Sequence, residues 1–116
     1  MTNTVIVSQA FKRDAKTLPK KFHSLKNSID NLIISLIENP YLGNSYGDNI
    51  YKIRLADKSK GGGKSGGFRV MYYHLSISDE GIDIILMTIF DKSEKSSVKK
   101  DEALKKLKAI LSELEI

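Results

Sequence analysis

The sequence predicts an α+β protein in which helices pack against an antiparallel β-sheet. Two strand-like segments flank a glycine-rich loop within residues 50–75, and a nearly continuous apolar strand, expected to be central in the sheet, spans 82–90. Apolar residues also recur at helical spacing in 24–39 and 104–114. The predicted order of elements is β-α-α-β-β-β-α, with the helices on one face of the sheet and cations on the other. We expect one domain that covers residues 1–116.

The N-terminal third is predicted to contain one strand and two helices. Residues 4–8 are rich in β-branched side chains, which is typical of a strand. Ser8 can cap a first helix, which Pro19 ends or bends. A second helix begins at Ser24, and its apolar residues follow four-then-three spacing until Pro40 stops it. The apolar face of this second helix is expected to lie in the core, and a turn-rich connection follows it.

The segment 50–75 carries a net charge equal to that of the whole chain. Alternation of side chains along paired strands would place Lys52, Arg54 and Arg69 on one face of the sheet. Such a basic surface favours a polyanionic partner, nucleic acid rather than a membrane, although a solvated hairpin whose lysines only confer solubility fits the same charge. The segment's six cations and one Asp account for the chain's net charge of +5: Lys52, Arg54, Lys58, Lys60, Lys64, Arg69 and Asp57.

The composition excludes several classes of protein. Nothing approaches the roughly 18 consecutive apolar residues of a membrane span, and the N-terminus lacks the pattern of a secretory signal. The chain has no cysteine, which excludes disulfides and thiolate metal sites and permits a cytoplasmic location. Only His23 and His74 are present, so a two-histidine ribonuclease mechanism or a histidine zinc site has little support. No metal or other cofactor is expected.

The glycine-rich loop contains a partial phosphate-loop pattern. Gly63-Lys64-Ser65 matches its end, but Lys58 stands where the first glycine is needed, and a strand pattern rather than a helix follows. We therefore reject nucleoside triphosphate binding. The glycines can still let backbone N–H groups approach a phosphate, or they can simply provide a flexible connection.

A cluster of cations beside tyrosines permits two kinds of activity. It can bind a phosphate backbone, or it can also cleave it, because cations stabilise the phosphorane charge while a lysine of lowered pKa accepts the 2′-hydroxyl proton. Crowding by like charges lowers the pKa of a lysine, and Lys52 beside Arg54 and Arg69 would meet that condition. The residues alone leave both activities open.

Three segments of the sequence form a recognisable set: Tyr-Lys-Ile-Arg-Leu at 51–55, Gly-Lys-Ser-Gly-Gly-Phe-Arg-Val-Met-Tyr-Tyr at 63–73 and Phe-Asp-Lys-Ser-Glu at 90–94. Together they resemble the RelE/ParE toxin superfamily, and within it the RelE- and HigB-type messenger-RNA interferases of type II toxin–antitoxin systems. The resemblance implies a RelE-like fold and a metal-independent endoribonuclease. Such an enzyme acts in the ribosomal A site, cuts messenger RNA by 2′-hydroxyl attack on the scissile phosphate and inhibits translation. It also implies a cytoplasmic protein that has a cognate antitoxin. Such a toxin contacts DNA only through its complex with the antitoxin.

The same resemblance implies roles for individual residues. Lys52 matches the lysine proposed as general base, Arg54 matches a charge-stabilising position, and Arg69 matches the arginine that contacts the scissile phosphate. Lys92 lies where the family places another basic residue, a candidate general acid or phosphate contact. Further contacts with RNA are expected from four lysines and one tyrosine: Lys58, Lys60, Lys64, Tyr73 and Lys95.

The chain also departs from the family pattern. RelE-type members often have a tyrosine near the C-terminus that stacks on a base, whereas residues 96–100 contain none, so stacking is lost or taken over by Tyr73. Glu94 is either an alternative base or a capping or surface residue. Two alternative functions are kept: a ParE-like toxin that binds DNA gyrase, and a catalytically inactive domain that binds nucleic acid or protein.

Overall fold

The structure is a computed structural model that describes residues 2–18, 20–57, 67–92 and 98–115. The α+β class is confirmed, and every predicted helix and strand is present. In the described ranges, none of the helices has the length and apolar character needed to cross a membrane. The elements in chain order are β1 (Thr4–Val7), α1 (Gln9–Lys16), α2 (Leu25–Glu38), β2 (Asn44–Gly47), β3 (Ile50–Leu55), β4 (Phe68–Ser78), β5 (Gly81–Asp91) and α3 (Lys100–Glu113).

The strands form a mixed sheet in the order β1-β5-β4-β3-β2. Strands β3, β4 and β5 pair antiparallel, as predicted, but β1 runs parallel to β5. The prediction of an entirely antiparallel sheet is therefore wrong at this edge. Parallel strands need a long crossover connection, and here the elements from α1 to β4 lie between β1 and β5 in the chain. The few residues of β1 do not indicate which later strand will pair with it. Strand β5 lies inside the sheet, between β1 and β4, as its apolar run predicted, and the middle strand of the five is β4.

Strand β2 is the element that the sequence analysis missed. A tight turn at Asp48 and Asn49 joins β2 to β3, with which it pairs antiparallel, and the φ angles of these two residues are 53° and 63°. Asp and Asn tolerate this left-handed conformation, which the favoured two-residue hairpin turns require. The register shifts between Ser45 and Gly47, so Tyr46 lies in a β-bulge. The predicted connection is thus partly an edge strand.

Two apolar cores lie on opposite faces of the sheet. Helix α2 packs on the face that carries Phe68 and Tyr72, whereas α3 packs through Leu107 and Ile110 on the face that carries Met71. The prediction that all helices share one face is therefore wrong for α3. Strands β4 and β5 are apolar on both faces, and the second apolar face also requires a helix to cover it. Consequently, α3 shares its sheet face with the cations of β3 and β4.

His74 has a structural role on the sheet face that α2 covers. It is 1% exposed, and its ring stacks on Tyr51 with 4.4 Å between centroids. Its Nε2 lies 2.8 Å from the Pro40 carbonyl oxygen, which also accepts a hydrogen bond from the Tyr72 hydroxyl at 3.2 Å. His74 Nδ1 is buried and has no hydrogen-bond partner among the described residues. The neutral imidazole with its proton on Nε2 therefore fixes the chain that follows α2.

We expect His74 to make folding stability depend on pH. Burial lowers the pKa of His74 from its ordinary 6.5, although the Pro40 carbonyl partly opposes this effect. As the pH falls below about 6.5, the unfolded chain binds a proton before the folded chain does. The free energy of unfolding should then decrease by up to about 1.4 kcal/mol per pH unit from this group alone.

Chemical denaturation between about pH 5 and pH 7.5 tests this dependence. His74→Gln keeps an N–H donor for Pro40 but cannot titrate, so its stability should change less over this range. His23→Gln is the matched control, because His23 is exposed and is the chain's other histidine. Equal pH slopes in the wild type and in His74→Gln would contradict the prediction.

Candidate functional site

Three cations lie together on one face of β3 and β4, as the sequence predicted. Lys52 and Arg54 are two residues apart in β3, so their side chains point to the same face. Arg54 lies directly opposite Arg69 of β4, and Lys52 lies opposite Met71. We refer to Lys52, Arg54 and Arg69 as the cationic cluster. It occupies the end of the face that α3 partly covers.

Arg54 and Arg69 form a cross-strand pair of like charge. Arg69 is only 7% exposed, and its guanidinium donates a hydrogen bond to the Phe68 carbonyl oxygen at 3.2 Å, whereas Arg54 is exposed. Burial first, and then the charge of Arg54, lower the pKa of the Arg69 guanidinium below its ordinary value. Within the described parts of the chain, no carboxylate forms an ion pair with either arginine.

Such a pair is suited to binding an anion. Like charges directly opposite each other in a sheet are destabilising, and an anion between them would relieve that repulsion. Guanidinium groups also match the geometry of a phosphate group, with two parallel N–H donors. The Arg54–Arg69 pair therefore provides a site at which a phosphate would be stabilised.

Lys52 contacts an aromatic ring that the sequence analysis did not identify. Its Nζ lies 5.4 Å from the ring centroid of Tyr46, within the range of a cation–π interaction. The Tyr46 hydroxyl donates a hydrogen bond to the carbonyl oxygen of Val98, shortly before α3. A second link joins the same two regions, because Lys100 Nζ lies 2.9 Å from a carboxylate oxygen of Asp48. Tyr46 thus positions Lys52 between β3 and the start of α3.

The end of β3 is fixed on the first turn of α2. The Asp57 carboxylate accepts hydrogen bonds from the Ser24 hydroxyl at 3.0 Å and from the Ser28 hydroxyl at 2.6 Å. A carboxylate at the N-terminus of a helix is also stabilised by the helix dipole. These contacts hold the strand that carries Arg54.

Two of the other predicted site residues, Lys92 and Tyr73, lie within the described parts of the chain. Lys92 is exposed just beyond β5, and its backbone N–H donates a hydrogen bond to the Gly67 carbonyl oxygen at 3.2 Å. It follows by two residues Phe90, which lies directly opposite Arg69. Tyr73 is about 13 Å along β4 from Arg69 and packs against the core beneath α3, so its stacking role stays a prediction. Five further candidates lie outside the described residues: Lys58, Lys60, Lys64, Glu94 and Lys95.

The chemistry available at the cluster is therefore that of cations beside a phenol ring. In residues 2–18, 20–57, 67–92 and 98–115, no group of three or more His, Asp or Glu side chains is arranged to hold a metal ion. The cluster can bind a phosphodiester, stabilise negative charge that develops on it and offer an amine for proton transfer.

Comparisons with known proteins identify the fold. No family model matches the chain, and no curated protein matches its sequence. A solved structure of the E. coli toxin RelE, a variant with two arginines replaced by alanine in the free state, matches with a TM-score of 0.55. The two sequences are 14% identical, and the match covers 83% of this chain and 90% of the RelE chain. The chain has a RelE-like fold, in agreement with the resemblance found in the sequence.

Proposed function

We propose that this protein is the toxin of a type II toxin–antitoxin system and cleaves messenger RNA on the ribosome. The observation that carries the proposal is the convergence of Lys52, Arg54 and Arg69 on one sheet face of a RelE-like fold. Cleavage by internal attack requires positive groups at the scissile phosphate and a group that accepts the 2′-hydroxyl proton. The cationic cluster supplies both kinds of group.

In the proposed reaction, Arg54 and Arg69 hold the scissile phosphate. The 2′-oxygen attacks phosphorus while Lys52 accepts its proton, and the bond from phosphorus to the 5′-oxygen of the next nucleotide breaks. Lys92 is the candidate that donates a proton to this 5′-oxygen. The products are a 2′,3′-cyclic phosphate and a 5′-hydroxyl end. All atoms and protons of the reaction are then accounted for without a water molecule or a metal ion.

The proposal includes partners that match the charge of the site. The ribosome presents the message, and Lys58, Lys60, Lys64 and Lys95 are proposed to contact its backbone in addition to the cluster. A cognate antitoxin with an acidic segment would cover the basic face, since opposite potentials speed association. DNA contact would occur only through that complex, and the cytoplasm is the compartment in which these partners meet.

Primer extension on a message bound to purified ribosomes tests the proposal, with the same RNA free of ribosomes as the comparison. We expect the wild-type protein to cut within the A-site codon and to leave the free RNA intact. A folded protein that leaves ribosome-bound message uncut contradicts the proposal. Inhibition of gyrase supercoiling by that protein would then favour the ParE-like alternative.

We expect Tyr46→Leu to slow cleavage by about 2- to 30-fold, the range of a cation–π contact. Tyr46→Phe keeps the ring beside Lys52 and loses only the bond to Val98, so it should retain most of the rate. The measurement is a double-mutant cycle of single-turnover rates with Lys52→Met. If Tyr46 acts through Lys52, then Tyr46→Leu adds no further loss once Lys52 is replaced.

Asp48→Asn controls for a role of Tyr46 in holding α3. It removes the charge of the other link between the β2–β3 turn and α3, the ion pair with Lys100, and it keeps a residue that tolerates the positive φ angle of this turn. We expect Asp48→Asn to cleave at nearly the wild-type rate. If the fold loss in rate of the double variant equals the product of the losses from Tyr46→Leu and Lys52→Met, then Tyr46 does not position Lys52.

A further inference from the structure

The outer edge of β3 is only partly covered by β2. Strand β2 pairs with Lys52 and with the two residues before it, and among the described residues no strand pairs with this edge beyond that point. The chain that precedes β2 turns away instead, because the Leu42 N–H donates a hydrogen bond to the Asn39 carbonyl oxygen at 3.2 Å. The edge of the sheet is therefore open from Arg54 onward.

The backbone groups of Arg54 point toward this open edge. In an antiparallel sheet, successive residues of a strand direct their N–H and C=O groups to opposite neighbours. A Cβ atom on Gly43, just before β2, would lie 2.8 Å from the Lys52 carbonyl oxygen, and one on Gly67, just before β4, would lie 3.0 Å from the Leu55 carbonyl oxygen. Lys52 thus faces outward and Leu55 faces β4. Arg54 shares the direction of Lys52, and the structure describes no backbone partner for its N–H and C=O groups.

A groove of about 270 Å³ lies beside the open edge, between β3 and α2. Residues 53–56 line one side of it, and the exposed Leu42 lies on the other side with the polar α2 residues Ser28, Asn31 and Ser35. Neighbouring strands lie about 4.8 Å apart, so a further strand beside β3 would enter this groove. The edge therefore has open space beside its outward backbone groups.

Resting on the proposed function, we propose that an extended, acidic segment of a partner protein adds to this edge as a further strand and blocks the cationic cluster. The backbone of the segment would form hydrogen bonds with the outward N–H and C=O groups of Arg54. In recognition by strand addition, such backbone bonds provide affinity for an extended chain, and the alternating side chains provide specificity.

The charge of the cationic cluster selects an acidic segment. A residue of the added strand directly opposite Arg54 has its side chain on the face of the cluster. In the described ranges no carboxylate forms an ion pair with Arg54, and Arg69 lies directly opposite it on the other side. An aspartate or glutamate at that position would relieve the repulsion between the two arginines. Its neighbours along the segment point into the groove beside α2.

A second copy of this chain does not fit the same edge. Pairing of two β3 edges would bring the Arg54 side chains of both copies onto one surface, and like charges across a sheet are destabilising. Charged side chains on edge strands are a common means by which proteins prevent such self-association. The edge therefore favours a segment of opposite charge over its own copy.

Amide spectra of the full chain labelled with 15N test the edge with a synthetic peptide. The probe is acetyl-Val-Glu-Val-Glu-Val-amide, and the control peptide has lysine in place of glutamate. We expect the glutamate peptide at millimolar concentration to shift the Arg54 amide signal and to slow its exchange with solvent, and the lysine peptide to change neither. No response of the Arg54 amide to the glutamate peptide would overturn the proposal. Shifts of this amide with protein concentration alone would place a second copy on the edge and overturn the choice of partner.

Two substitutions at position 54 separate the backbone contact from the charge. Arg54→Ala keeps the outward N–H and loses the cation, whereas Arg54→Pro loses both. Proline is tolerated in an edge strand where its nitrogen faces outward, so the pairing with β4 should persist. With binding followed at the Ala56 amide, we expect Arg54→Ala to weaken binding of the glutamate peptide and Arg54→Pro to weaken it by about 2- to 10-fold more, the range for one hydrogen bond. Equal affinities of the two folded variants would also overturn strand addition.

Cleavage of ribosome-bound message in the presence of the glutamate peptide distinguishes this proposal from the proposed function. We expect a saturating concentration of the peptide to slow cleavage by the wild-type protein. Cleavage by a protein whose Arg54 amide does not respond to the peptide supports the proposed function and overturns strand addition. A protein that binds the peptide at Arg54 but cuts no message supports strand addition and contradicts the nuclease. Binding at Arg54 that leaves the cleavage rate unchanged would overturn the blocking of the cluster.

Discussion

Replacing Arg69 by alanine is expected to slow cleavage of ribosome-bound message by about 100- to 1,000-fold, the usual effect of removing one donor that stabilises transition-state charge. Arg69 is nearly buried, and its guanidinium is held by the Phe68 carbonyl. The exposed Arg54 across the ladder makes no such hydrogen bond to the part of the chain that the structure describes, so it cannot easily take over the same position. Single-turnover primer extension on ribosome complexes measures the loss.

Stability measurements separate this effect from misfolding. Removing Arg69 also removes a like-charge neighbour of Arg54, so the variant should stay folded in thermal unfolding. Arg69→Lys keeps a charge but not the planar pair of donors, and we expect an intermediate rate. Arg13→Ala is the matched control, since Arg13 lies on α1 and its exposed guanidinium pairs with Glu113 at 3.5 Å. A folded Arg69→Ala protein with the wild-type rate would falsify the phosphate role of Arg69.

Much of the fold could be predicted because its signals are local. Alternation in β3 and β4 and helical spacing in α2 each depend on residues a few positions apart. The face chosen by α3 and the direction of β1 could not be predicted in this way. They depend on which surfaces remain apolar once β4 and β5 have paired, and Ile84 and Ile85 show that β5 is buried on both faces. A single strand pattern does not say which helix covers each face.

The same distinction between local and long-range signals applies to the candidate site. Lys52, Arg54 and Arg69 could be placed together, because strand alternation and one hairpin register suffice to bring them to one face. Tyr46 was missed because a bulge and a turn with two positive φ angles create its strand from a turn-like sequence. The contact of the Tyr46 hydroxyl with the Val98 carbonyl joins residues that are 52 positions apart, and no spacing in the sequence encodes that approach.

Leu32→Asp is expected to prevent folding, the largest effect on stability that we predict. Leu32 is 5% exposed and packs from α2 into the core between α2 and the sheet. Loss of the leucine side chain alone costs about 2–5 kcal/mol. A carboxyl group left in that apolar contact without a partner adds several kcal/mol more, whether it is ionised or forced to stay protonated. The total is comparable with the roughly 5–15 kcal/mol that stabilises a whole domain.

Ile34→Asp, in the same helix, isolates burial as the cause. Ile34 is 56% exposed, so the introduced carboxylate stays in water. Both substitutions replace an aliphatic residue by aspartate in the interior of α2, and their effects on helix propensity are therefore similar. We expect Ile34→Asp to unfold cooperatively in urea and Leu32→Asp to lack native circular dichroism. A Leu32→Asp protein that is soluble and unfolds cooperatively would mean that α2 does not pack on the sheet through Leu32, and the core that supports the β3–β4 cationic cluster would have to be built differently.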